Sequence, residues 1–190
     1  MHVDRFLADP RSRRAFLRDA GVTMVGGSAV FLSACGKQKT SKADEEAAKA
    51  DAEILNGALD LEHMAIAVYT AGAPLLKGDL VKLGRQFLTQ EKEHADALEQ
   101  TIRKAGGRPN RPKPTYNFPS VTDQAGTLKL ATMIENVAIA AYLDAIPRLT
   151  SGDLRATAAS VVTNEAEHLS VLLGAQGMPQ VPTAFVVGRR

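Results

Sequence analysis

The 190-residue sequence is 45% hydrophobic, enough to bury one core and too short to demand a second domain. Its net charge of +2 arises in residues 1–35, where five Arg face three Asp, and the remainder carries equal numbers of basic and acidic residues. With no basic stripe, 5% aromatics and no Trp, the chain lacks what a nucleic-acid binder needs. Its single cysteine, Cys35, excludes an intrachain disulfide and any Cys-based zinc or iron site.

The N-terminal segment reads basic, then apolar, then small, then Cys. Arg13-Arg14 precede an apolar, glycine-containing stretch from Ala20 to Ala34, which ends in Leu32-Ser33-Ala34-Cys35-Gly36. This resembles a twin-arginine export signal followed by a bacterial lipoprotein cleavage box. The resemblance implies handling by the twin-arginine export machinery, which carries folded proteins. It also implies a lipid on Cys35 that anchors the chain to a membrane, periplasmic or on the outer face. The apolar run, about 15 residues, falls short of the roughly 20 of a spanning helix. Residues 36–42 are polar and small, a tether; the domain itself is expected over residues 43–190.

From Ala43 onward the apolar residues recur every three or four positions, which predicts four helices. Helix one runs from Ala43 to Gly72 and stops before Pro74. Helix two runs from Asp79, read as its N-cap, to Ala105. The segment RPNRPKPTYNFPS follows; its prolines forbid regular helix and fit the long crossover of a bundle. Helix three spans about Thr122 to Pro147, and helix four about Asp153 to Gly177. The tail from Met178 to Arg190, with Phe185, Val186 and Val187, is expected to pack on the bundle.

The two halves repeat each other. A shift of 73 residues superposes Glu62, Ala65, Ile66, Ala67, Tyr69 and Pro74 on Glu135, Ala138, Ile139, Ala140, Tyr142 and Pro147. A shift of 74 lays residues 78–94 on 152–168, with Gly, Asp, Leu, Thr, Glu, Glu and His identical. Two copies of one antiparallel helical hairpin make an all-α four-helix bundle with an approximate twofold axis.

Each predicted helix places a polar residue on its apolar seam. In helix two Leu80, Leu83, Phe87, Leu98 and Ile102 flank Glu91 and His94; in helix four Leu154, Ala158, Val161 and Leu172 flank Glu165 and His168. Glu62 lies between Leu55, Ala58, Ala65 and Tyr69, and Glu135 between Leu128, Ala131, Ala138 and Tyr142. A buried carboxylate must be protonated, paired or metal-bound, and no seam offers Lys or Arg. Four carboxylates with two neutral imidazoles balance two divalent ions. Residues i and i+3 on a helix lie about 60° apart in azimuth and about 4.5 Å apart in rise, so Glu and His of each E-x-x-H reach one ion. His63 points about 100° from Glu62 and reads as a surface or interface histidine, and Glu93 and Glu167 fall on the solvated face.

One Glu on helices one and three, with E-x-x-H on helices two and four, resembles the ligand pattern of the ferritin-like di-iron and di-manganese carboxylate proteins. The resemblance implies a ferritin-like bundle over about residues 43–177. It makes Glu62, Glu91, His94, Glu135, Glu165 and His168 the ligands of two iron ions, manganese being an alternative, with Glu91 and Glu165 bridging. It also makes Tyr69 and Tyr142, as in rubrerythrin-like members, hydrogen-bond partners of ligand carboxylates; the cysteine-bound iron domain of rubrerythrins is missing. The implied chemistry is redox work on oxygen or peroxide, or oxidation of ferrous iron. The alternative is a lipoprotein that binds metal without turnover. A homo-oligomer is compatible with the sequence; a closed storage shell is hard to reconcile with a lipid on every chain.

Overall fold

The computed structural model describes residues 41–188, and every structural statement below concerns those residues. The expected export segment, with Arg13, Arg14 and Cys35, lies outside them. Four long helices build the domain: α1 (Lys42–Gly72), α2 (Asp79–Lys104), α3 (Gln124–Ala145) and α4 (Gly152–Ala175). No strand occurs among the described residues, and the all-α, four-helix expectation holds.

The helix ends follow from local chemistry. Ser41 and Asp44 form a reciprocal capping box at the start of α1, the Ser41 hydroxyl accepting from the Asp44 N–H at 3.2 Å and the Asp44 carboxylate accepting from the Ser41 N–H at 3.0 Å. Both hairpins turn at a proline: α1 and α3 tighten into 3₁₀ turns at Ala73–Leu75 and Ile146–Arg148, where Pro74 and Pro147 cannot donate to the helical ladder. Asp123 caps α3 by accepting from the Gly126 N–H at 2.7 Å. Asp79, by contrast, is not the cap of α2 but its first helical residue. The cap position falls on Gly78, whose φ of 59° belongs to the left-handed region that a side chain disfavours.

Within each hairpin the helices pack side by side, and the hairpins meet chiefly through α1 and α3, while α2 and α4 stand further apart. Tyr69 of α1 reaches Glu135 of α3 and Tyr142 of α3 reaches Glu62 of α1, so these two helices run antiparallel. Helices α2 and α3 then run the same way, and the chain between them must travel the length of the bundle. It does so along α1. Asn110 donates from its backbone to Asn56 at 2.7 Å and from its amide to Asp60, and Phe118 and Val121 pack against Ala65, Val68 and Ile134 further up.

The core has three apolar clusters, one around Leu55, Leu59, Leu98 and Ile102, another around Tyr69, Phe87, Leu128 and Leu172, and a third around Ala65, Val68, Leu130 and Ile134. Each fully buried aliphatic or aromatic side chain contributes roughly 1.5–3 kcal/mol, which offsets the cost of the polar residues buried among them. The C-terminal tail departs from expectation. Phe185 is 80% exposed and Val187 68% exposed, so the apolar side chains of the tail do not pack on the bundle. The tail touches α3 through backbone instead: at Gly188 (φ 64°) a Cβ would lie 2.4 Å from the Ala140 nitrogen and 2.5 Å from the Asn136 oxygen.

Candidate metal centre

The six ligands expected from the seams converge in the interior. Glu62, Glu91, Glu135, Glu165 and His168 are at most 1% exposed, whereas the His94 side chain keeps 13% of its surface. Their donor atoms form two groups, each with all atoms within 4.8 Å of one another: Glu62, Glu91, His94 and Glu165 in one, Glu91, Glu135, Glu165 and His168 in the other. Glu91 and Glu165 belong to both. Nδ1 of His94 lies 3.0 Å from Oε1 of Glu165, 3.4 Å from Oε2 of Glu62 and 3.9 Å from Oε2 of Glu91. Nδ1 of His168 lies 3.0 Å from Oε1 of Glu91 and 3.5 Å from both Oε1 of Glu135 and Oε2 of Glu165. Each shared glutamate therefore turns one oxygen toward each histidine.

The donor set suits a cation. Nδ1 of both histidines, both oxygens of Glu165, and one oxygen each of Glu62, Glu91 and Glu135 are buried without an aligned hydrogen bond. These atoms lie within 4.8 Å of one another in each group, yet they make no hydrogen bond among themselves. Buried polar atoms are rarely left in that state, and a ligand that accepts their electron pairs resolves it. Carboxylate and imidazole suit iron, manganese and zinc alike.

The surrounding hydrogen bonds orient these side chains. Tyr69 donates to Oε1 of Glu135, and Tyr142 donates to Oε1 of Glu62 at 2.5 Å, each tyrosine crossing from one hairpin to the other. The Nε2 of His168 sits 2.9 Å from Oε1 of Gln90; since that oxygen only accepts, Nε2 carries a proton, and once the ring is neutral it is the Nδ1 lone pair that faces the cluster. Phe87 stacks on the His168 ring at a centroid distance of 4.0 Å.

Without metal, the cluster holds protons. Burial pushes the Glu62 carboxyl up to about 8, although His94 beside it pulls the other way. Burial likewise drives Glu135 well above the usual carboxylate range, against the pull of His168. For His94 burial opposes the charged ring, but the adjacent Glu165 and Glu62 carboxylates prevail and push it up to about 10. His168 rises to about 11 in the same way, burial opposing and Glu135, Glu165 and Glu91 prevailing. Glu165 is also penalised by burial, yet lies below the usual range because the rings of His168 and His94, 3.5 and 3.0 Å from its oxygens, favour the carboxylate.

His63 is not a surface residue. It is buried and outside both donor groups, and burial pulls its imidazole below the usual value against the opposing pull of the Glu99 and Asp60 carboxylates. Its direction away from the seam reads correctly from the helical spacing, but the surface there is covered by neighbouring elements. Glu93 and Glu167 are exposed, as their spacing predicts. Gln90 is the residue that seam reasoning passes over, because it lies beside the apolar stripe rather than on it.

The model of the ferritin-like domain family matches residues 50–178, and the chain belongs to that family. No curated protein matches it. Among solved structures it resembles a conserved hypothetical protein of Mycobacterium tuberculosis, at 23% identity over 74% of this chain and 99% of that one, with a TM-score of 0.65. It also resembles a ferritin-like, diiron-carboxylate protein of Bacillus anthracis, at 22% identity, 72% and 99% coverage and a TM-score of 0.59. A bacterioferritin of Rhodobacter capsulatus, solved with a metal-free dinuclear site and a heme iron, matches at 26% identity over 65% of this chain and 81% of that one, TM-score 0.55. The ferritin-like four-helix fold is common to all of them, and this chain sets Glu and His groups able to hold metal inside it.

Proposed function

We propose that this chain is an exported, lipid-anchored dinuclear metal protein, with iron as its native metal, that carries out redox chemistry on oxygen or peroxide or oxidises ferrous iron. The observation that carries the reading is the pair of overlapping four-ligand groups with Glu91 and Glu165 in common. In this reading Glu62 and His94 would hold one ion, Glu135 and His168 the other, and Glu91 and Glu165 would serve both. Two reduced ions held there would together supply the two electrons that reduction of a peroxide bond requires. Export rests on Arg13 and Arg14 and anchoring on Cys35, as sequence motifs.

The chain's own residues prepare the site. Four ionised carboxylates and two neutral imidazoles balance two divalent charges, so loading must expel the protons held on His94, His168, Glu62 and Glu135. Tyr69 and Tyr142 hold one oxygen of each terminal glutamate and leave the other for a ligand bond. Phe87 covers the His168 ring and excludes water from that side.

The test is turnover by the iron-loaded full chain. Sustained peroxide consumption, or oxidation of ferrous ion beyond two equivalents per chain, is expected. A loaded protein that does neither is a metal-binding lipoprotein without catalysis, and the enzymatic reading falls.

A further inference from the structure

The internal repeat is broken around the two histidines, and the breaks lie on one side. Sliding by 74 residues pairs Phe87 with Val161 and Gln90 with Asn164. Phe87 stacks on His168, whereas its counterpart beside His94 is the smaller Val161. Gln90 engages Nε2 of His168 at 2.9 Å, whereas Asn164, one methylene shorter, turns its amide to Glu167 at 3.1 Å. A ring and an amide thus enclose one histidine, and their smaller counterparts leave the other partly open.

The uncovered side is a cavity. Between α2 and α4, where the bundle is loosest, a pocket of about 480 Å³ opens to solvent. Val161, Asn164, Gln90, Glu93 and Glu167 line it, and His94 lies at its wall. At about 30 Å³ per water, an ion with six waters needs about 200 Å³, so the pocket has room for a hydrated cation. Gln90 stands in the wall of this pocket and, through its bond to His168, separates it from the second position.

We propose that this pocket is the route by which a hydrated divalent cation reaches the centre, and that it makes the two positions inequivalent: the His94 position exchanges with solvent while the His168 position is sealed by Phe87 and Gln90. The inference rests on the metal-binding reading above and adds to it which residues set the order of loading and release. Val161 and Asn164 are positioning residues in this scheme, and neither is a ligand.

The experiment loads the full chain with cobalt(II), whose visible absorption reports occupancy, and follows release into excess EDTA by stopped flow. The wild type is expected to release two equivalents in two phases, the faster at least about tenfold quicker, in the range that partners of ligating histidines contribute to metal binding. The double variant Val161→Phe/Asn164→Gln, which copies the sealed half onto the open one, should slow the fast phase toward the slow one with stoichiometry kept at two. Asn164→Gln alone, a milder change, should slow it partially, and Gln90→Ala should quicken the slow phase. A single release rate in the wild type, or a fast phase indifferent to Asn164→Gln and slow phase indifferent to Gln90→Ala, overturns the proposal. A chain that takes up no cobalt overturns the metal-binding reading itself and this inference with it.

Discussion

The first hairpin and the second contribute the same candidate ligands in the same order, yet they do not build the same environment. Both supply Glu, Glu and His to one interior cluster, and both send a tyrosine across to the other hairpin's terminal glutamate. His168 is nevertheless buried, stacked and hydrogen-bonded, whereas His94 stays partly open beside a pocket. The ligand set follows from twofold repetition, and access to it follows from the few positions where repetition fails. A duplicated hairpin can therefore keep its binding chemistry symmetric while its route to solvent is confined to one side.

The largest expected effect comes from the residues that the halves share. Alanine at Glu91 or Glu165 removes a donor from both groups at once, so either variant should lose both equivalents of metal, with elemental analysis as the measure. The wild type should also gain about 4 kcal/mol of stability from metal at a thousandfold excess over Kd. That corresponds to a rise of roughly 10 °C in Tm for a chain of this size, visible by calorimetry and missing in both variants. A comparable gain in Glu91→Ala would mean that the halves bind independently.

The next effect is pH dependence of the metal-free fold. Glu62 rises from 4.5 to about 8, and His94 and His168 from 6.5 to about 10 and 11. Folded values above unfolded ones mean more protons bound in the folded state, so stability is greatest below the unfolded pKa and falls as pH rises through the folded one. The metal-free Tm should therefore decline from about pH 5 to pH 9, and proton release should accompany metal uptake at pH 7. Glu165 has the opposite sign, but its contribution is lost only as pH falls below 4.5, outside that window, and His63, whose lowered value also opposes the trend up to 6.5, is one group against three. A Tm that rises across this range would contradict the protonated cluster.

A smaller effect separates the halves. Tyr142→Phe frees Glu62 of the His94 position, and Tyr69→Phe frees Glu135 of the His168 position. Each should weaken one equivalent of metal by about tenfold and leave the other nearly unchanged, as resolved in a titration with two inflections. Equal weakening of both equivalents by either variant would show that the tyrosines act on the bundle as a whole.

Much of this was legible in the chain. Helical periodicity, the turns at Pro74 and Pro147 and the repeat of E-x-x-H were enough to place four helices and to choose six converging side chains, because a carboxylate on an apolar seam is costly without a partner. What escaped depends on contacts distant in sequence. The depth of His63 is set by what packs over that face of α1, and the start of α2 by a backbone angle at Gly78 rather than by the carboxylate of Asp79. The tail is apolar in composition, but it meets α3 through Gly188 and leaves Phe185 in solvent. The differences at residues 87 and 161 and at 90 and 164 are plain in the aligned repeats, yet they acquire meaning only once each is seen beside its histidine.

Metal analysis of the protein purified from its own host tests the central claim most directly, since recombinant loading follows affinity order rather than biological supply. The account predicts two equivalents of a redox-active divalent metal per chain, iron foremost, lost when Glu91 and Glu165 are both alanine. A natively isolated chain without bound metal, or one whose metal content ignores those two substitutions, would contradict it.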